Sequence, residues 1–356
     1  MNLGSVRASW QEKVFVHVQS ASASWSSAPA SLFYNPAGFG VRDAIFMLPV
    51  NNNVDIKMGL EQINQRKLTG RSYRTTHAYG HEFLHGVYNP STSLDFDVTA
   101  TNLIWALWTL CQDGTSEGAS PSFVKTFGNY TSSTCEAWVC VGQYKEDTDN
   151  PALYGGIAQS INLTVSKDQP LRATVEVLGA VFDDSTFTGA TASTSLDDSV
   201  PLLCKDLTVK YDVLGGDSPA ATSTNGFSLT ISNNAERTFY NSGTCSGYVL
   251  NDLDVTGSVF IPWSAAEGGT NTILDDLKAA TGFPTDNKLW FYWGTSPTAV
   301  PGLGELQIKL NIINQEPTWT NNVEMGWETP FTNASDGTNA FEILLAGDDA
   351  KDWPIV

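Results

Sequence analysis

Residues of alternating character run through this chain in short segments. Positions 14–18, 54–63, 94–98, 136–141, 161–165, 171–178, 207–213 and 227–231 carry β-branched or aromatic side chains at every second residue. That two-residue period sets one strand face on a core and the other in water. Leu171, Ala173, Val175 and Val177, with Arg172, Thr174 and Glu176 between them, are representative. The chain therefore reads as mainly antiparallel β. Two segments break the pattern with helical spacing. One begins at Thr101-Asn102 and runs through Leu103, Ile104, Leu107, Trp108 and Leu110 before Gly114. The other begins at Thr270-Asn271 and runs through Ile273, Leu274 and Leu277 to Gly282, with Pro284 beyond. Polar caps at the start and glycine at the end mark both.

One helix per half points to a duplication. Ile63 precedes Asn102 by 39 positions, and Ile231 precedes Asn271 by 40. An aromatic strand follows each helix, Glu136 to Val141 in the first half and Leu289 to Trp293 in the second. Each half is then expected to close with two strands around a Pro turn, Leu171 to Val177 corresponding to Trp319 to Met325. The apolar faces of the preceding strands, Ile161, Leu163 and Val165 against Leu306, Ile308, Leu310 and Ile312, need a one-residue difference before that turn. A chain of 356 residues is long enough for two domains. The boundaries read as a first domain over 1–185, a linker over 186–201 and a second domain over 202–356. The linker is Thr-, Ser- and Ala-rich, and a second loose stretch, an arm or loop over about 19–50, opens the first domain.

Composition limits function. Asp plus Glu outnumber Lys plus Arg by 38 to 19, a formal net charge of -19. Ordinary nucleic-acid binding needs the reverse balance, because cations must neutralise phosphates. An acidic wall that nucleic acid passes without adhering remains open. Cys111, Cys135, Cys140, Cys204 and Cys245 are an odd set without CxxC spacing, which fits free thiols better than a disulfide framework or thiolate zinc site. The opening residues Met1 to Trp10 hold no apolar signal core, and no run approaches the roughly 18 apolar residues of a membrane helix, so neither secretion nor membrane insertion is expected.

The sharpest catalytic pattern is His81-Glu82-Phe83-Leu84-His85. On a helix, HExxH would align two imidazoles for zinc with the glutamate beside a bound water, and His77 lies one turn earlier. Gly80 and Asn89-Pro90 give such a helix little support, and no third ligand stands in a recognisable place. A zinc metalloprotease is thus an alternative without supporting context. Asp95 and Asp97 could be imagined as a carboxylate pair, but their alternation with Leu94, Phe96 and Val98 marks a solvated strand face. No P-loop, GxSxG or GxGxxG element is present. Asn129, Asn162 and Asn333 begin glycosylation sequons by chance. No catalytic, cofactor-binding or metal residue is assigned, and no enzyme is expected. A β-rich virion surface or binding module is the other alternative.

With these elements in order, the chain resembles the tail tube proteins of long-tailed, non-contractile phages, in particular those with two fused tube domains. The resemblance rests on Lys13 to Val18 as an opening strand, the Trp105-Ala-Leu-Trp108 helix and the aromatic strand from Trp138 to Val141. It continues in Tyr154 to Val165 with Leu171 to Ala180 as a closing hairpin, and in Phe227 to Asn234 with Val255 to Val259 as second-domain counterparts. It implies two tandem tail-tube-like β-sandwich or barrel domains, each with one flanking α-helix. It also implies homotrimeric, pseudo-hexameric rings stacked into the virion tail, assembled in the host cytoplasm and serving as the conduit for genome ejection. The implied partners are further copies of the chain, the tail tip, tape measure and tail terminator proteins, and viral DNA passing through without specific binding.

Overall fold

A computed structural model describes residues 13–20, 46–52, 54–64, 83–100, 102–112, 115–117, 122–128, 137–144, 151–183, 200–212, 220–222, 224–239, 245–262, 287–294, 305–321, 325–334 and 341–348. In chain order the first half supplies β1 (Lys13–Ser20), β2 (Phe46–Leu48), β3 (Leu60–Asn64), β4 (Phe83–Tyr88) and β5 (Ser91–Asp97), then helix α1 (Ile104–Cys111). After it come β6 (Thr115–Glu117), β7 (Ser122–Gly128), β8 (Ala137–Tyr144), β9 (Ala152–Ser166), β10 (Arg172–Leu178) and β11 (Val181–Asp183). The second half supplies β12 (Leu207–Asp212), β13 (Ala220–Thr222), β14 (Gly226–Ser232), β15 (Glu236–Thr238), β16 (Gly247–Val249), β17 (Asp254–Pro262) and β18 (Asn287–Trp293). It ends with β19 (Leu306–Asn314), β20 (Thr318–Asn321), β21 (Met325–Asn333) and β22 (Phe341–Asp348). The molecule is mainly β, with a large antiparallel sheet, as the alternation predicts. The second expected helix, over 270–282, the arm and most of the linker lie outside the described residues.

The same strand order occurs twice. The opening strand β1 pairs with aromatic strand β8, which pairs with long strand β9. In the second half β12 pairs with β18, which pairs with β19. Small edge strands β2 and β13 flank β1 and β12.

Strand β9 is long because it serves two neighbourhoods. Its first residues pair with β8 and β11, residues from Ile157 to Thr164 pair with β10, and residues from Ser160 to Ser166 pair with β14 on the other side. Two irregularities redirect it. One falls between the Val139 and Val141 pairings, where Gly155 takes the left-handed region at φ +60°, and the other is a bulge at Gln159 opposite Glu176 and Val177. A bulge bends a strand and sharpens its twist, and Gly tolerates positive φ without a Cβ clash.

Helix α1 starts at Ile104, a little inside the expected start. Thr99 and Asn102 form a reciprocal turn ahead of it: the Thr99 N–H donates to Asn102 Oδ1 (2.9 Å), and the Asn102 N–H donates to Thr99 Oγ1 (3.1 Å). All eight helical residues are buried, so α1 is a core element and not an amphipathic flank. It ends at Gln112, which adopts φ +54° where glycine is common. The Gln112 side chain accepts from the Ala137 N–H (3.0 Å) and donates to the Thr109 carbonyl (2.6 Å), satisfying groups around the helix end.

The main apolar cluster runs from Val14 through Trp105, Leu163, Leu229 and Phe291 to Leu345, with members from both sides of the linker. A small second cluster holds Trp138, Ile157 and Ala235. Phe227 of β14 stacks on Phe291 of β18 with ring centroids 4.1 Å apart.

The closing strands of the second half differ from the expectation. Trp319 and Met325 do not occupy the places of buried Leu171 and Val177; they are 42% and 55% exposed. Glu316-Pro317 is no hairpin turn, because β19 and β20 both lie along β21, as one strand with an irregularity between them. The counterpart of β10 is therefore β21. The period-two pattern could not reveal this, since a one-residue bulge reverses faces without changing composition. Residues 54–63 likewise form no single strand: Val54 and Ile56 lie beside β5, Lys57 bridges Ser91, and β3 begins only at Leu60.

Candidate functional surface

An extended ordered surface among the described residues is the solvent face of six consecutive strands, β5, β10, β9, β14, β17 and β21. Their ladders align side chains in rows across both halves. One row reads Asp97, Arg172, Thr164, Ser228, Ser258 and Pro330. The next reads Asp95, Thr174, Asn162, Thr230, Thr256 and Thr332, and a third reads Ser93, Glu176, Ser160, Ser232 and Asp254. All of these are exposed or half-buried. The opposite face of the same strands carries Phe96, Ala173, Leu163 and Leu229, and a row of Leu94, Val175, Ile161, Ile231 and Val255, all buried. Strict alternation over six strands produces this division.

Several groups of the polar face bond to one another. Ser228 and Ser258 hydroxyls lie 3.1 Å apart, Ser258 Oγ donates to Glu328 Oε1 (3.0 Å), and Ser160 Oγ donates to Glu176 Oε2 (3.3 Å). In the three rows Arg172 is the one cation, and its guanidinium makes two hydrogen bonds to the Asp95 carboxylate. That contact, strengthened by the charges of Asp95 and Asp97, holds the Arg172 pKa above its ordinary value. Asn51 and Asn52 donate to Asp97 Oδ1 (2.8 Å) and Asp95 Oδ2 (2.7 Å). Asp95 and Asp97 thus lie on a solvated strand face, tied to amides and a guanidinium. They do not form a paired-carboxylate site.

The ladder from β9 to β14 joins the halves. Val165 faces Phe227, Leu163 faces Leu229, and Ile161 faces Ile231. Asn233, fully buried just beyond β14, reinforces it: Nδ2 donates to the carbonyls of Leu110 (3.1 Å) and Ala158 (2.9 Å), and Oδ1 accepts from the Ala235 N–H (3.1 Å). One side chain thereby binds the end of α1, β9 and its own segment together. The sequence marked Phe227 to Asn234 as a repeat element but gave no sign of this cross-half pairing, because ladder partners are set by tertiary packing.

The zinc motif is not helical where it is described. Phe83, Leu84 and His85 belong to β4, which pairs with β3, Gln62 opposite His85. A helix over the described part of the motif, which the zinc reading needs, is thus absent. His77, His81 and Glu82 lie outside the described residues. A cleft lined by Asp55, Lys57, Ser93, Gln159 and Glu176 adjoins the sheet, where Ser93 of β5 stands opposite Glu176 of β10 in the ladder. Trp293 and Phe291, in the Trp-rich stretch, are buried core. Among the described residues no helix is long and apolar enough to cross a membrane.

The described residues define a mainly β protein with a hydroxyl- and acid-bearing sheet face over a core shared by the two halves. The family described as phage tail tube protein matches residues 37–303, most of the chain, and the chain belongs to that family of structural tail proteins. No curated protein matches the chain.

Proposed function

We propose that this tail tube protein assembles as stacked rings with the six-strand polar face turned inward as the wall of the lumen. The observation that carries this reading is the composition of that face: hydroxyls, amides and carboxylates in register across both halves, with its one cation engaged by Asp95. Such a wall offers phosphates no free cation to hold them, and its acidic groups repel them. DNA would move past it during ejection into the host cell. The repeated order β1–β8–β9 and β12–β18–β19 supports a duplicated tube domain, divided at the 186–201 linker. Three chains would then supply six similar domains per ring. The tail tip, tape measure and terminator proteins would be its partners in a non-contractile tail, assembled in the host cytoplasm. The chain has no catalytic part in this scheme.

Negative-stain electron microscopy of the purified full chain, with and without tail-tip complexes as nuclei, tests the reading. Rings or tubes with a central channel are expected. A protein that stays monomeric under every condition and is missing from virion tails would contradict it.

A further inference from the structure

The aromatic strand β18 has two faces of different chemistry. Leu289, Phe291 and Trp293 are buried in the core, where Phe291 stacks on Phe227 of β14. Successive side chains of a strand point to opposite sides. Lys288 and Trp290 therefore stand on the outer face of β18, as Ser228 stands on the outer face of β14. With the core between them, these two outer faces look in opposite directions.

The ladders carry the outer face of β18 across four strands. One row reads Lys210 of β12, Trp290 of β18, Lys309 of β19 and Glu342 of β22. All four are half-buried. The Lys309 ammonium lies 5.9 Å from the Trp290 ring centre and 2.9 Å from Glu342 Oε2. The Lys210 ammonium lies 6.0 Å from the ring centre of Tyr292, and among the described residues it has no carboxylate partner. Lys288 adds a third lysine one row away. The chain holds only 19 Lys and Arg against 38 Asp and Glu, and Arg172 is the one cation in the three rows of the polar face. Three lysines on adjoining strands around a tryptophan are thus a local reversal of the chain's charge.

We propose that this outer face binds an acidic saccharide, with a sugar ring packed on Trp290, its carboxylate on Lys210 and its hydroxyls on Lys309 and Glu342. An indole gives the apolar C–H side of a sugar ring a flat surface, and the ammonium beside it gives a carboxylate a charge-assisted hydrogen bond. Contact with the Tyr292 ring steadies the Lys210 ammonium without neutralising it. Lys210 and Lys309 flank Trp290 from strands two ladder spacings apart, about 10 Å, so both ends of a bound ring meet a cation. Other anionic classes fit this face less well. Nucleic acid is held by many cations at once, and it would approach a chain of net charge -19. A protein or lipid surface calls for a broad apolar patch, whereas Tyr292 beside Trp290 is buried and the rest of the row is charged. The inference is independent of the ring reading; if the polar face lines a lumen, this face lies on the exterior.

The test is a ligand-observed NMR titration of the full chain at low ionic strength with tri-galacturonate, and with maltotriose as the uncharged control. Tri-galacturonate is expected to bind with a dissociation constant of about 1 mM or tighter, and maltotriose at least about tenfold more weakly. Trp290→Ala and Lys210→Gln should each weaken tri-galacturonate binding by about tenfold or more. The thermal midpoint of Lys210→Gln should match that of the natural chain, so that its loss of binding reads the site and not the fold. No binding of tri-galacturonate up to about 20 mM overturns the proposal, as does binding that Lys210→Gln leaves unchanged. Tighter binding of a single-stranded oligonucleotide or of poly-glutamate than of tri-galacturonate would assign the face to another class of ligand and overturn it too. Each of these outcomes leaves the tube reading untouched.

Discussion

Gly257 sits where two strands and an aromatic ring converge. A Cβ there would lie 2.3 Å from the Ser228 carbonyl oxygen and 2.6 Å from Phe331 Cζ. Gly257→Val should therefore destabilise the fold by about 2–3 kcal/mol through overpacking, read as a lower urea midpoint; an unchanged midpoint would mean that this row is loosely packed. Asn233→Ala would strip partners from the Leu110 and Ala158 carbonyls and the Ala235 N–H, at a cost of about 3 kcal/mol for buried groups left unsatisfied. Burial pushes the Cys140 thiol up to about 12 from an ordinary 9.0. The folded state thus keeps a neutral thiol where the unfolded chain ionises. Stability from this group is whole below pH 9 and falls by roughly 1.4 kcal/mol per pH unit between about 9 and about 12. Urea titrations at pH 8 and pH 10.5 should show that loss in the natural chain and a smaller loss in Cys140→Ala. At this scale the sequence was informative about residue type, identifying the buried alternate positions. It was silent about Asn233, whose partners lie 75 and 123 residues away.

Among elements, the opening strand, the first helix, the aromatic strands and the β9–β10 hairpin were legible, because each is defined by local periodicity and local turn chemistry. The final strands were not. The 319–325 match assumed a turn at Glu316-Pro317, but that dipeptide interrupts one edge of β21 without reversing the chain. The sheet surface was half legible: the alternation around Asp95 and Asp97 showed a solvated face, while the rows continuing it through β9, β14 and β17 depend on register that only packing fixes. The β9–β14 ladder has a direct consequence. A protease site inserted between 186 and 199 and cleaved should leave both fragments co-eluting on gel filtration, held by the ladder and the common core. Separation without denaturant would show that the halves are independent bodies.

For the whole molecule, the low-charge, acidic composition is divided between apolar strand faces and a polar sheet face. Its apolar rows pack into the main core, and its polar rows make the surface that the proposed assembly turns toward a phosphate-bearing strand. The strand order β1–β8–β9 recurs as β12–β18–β19, and the proposed assembly takes this as a duplicated unit, three chains to a ring. Cryo-electron microscopy of the assembled tube tests this most directly. The account predicts three chains per ring with near-sixfold density, and the row of Asp95, Thr174, Asn162, Thr230, Thr256 and Thr332 facing the channel. A ring of six chains, or that row on the outer surface, would contradict it.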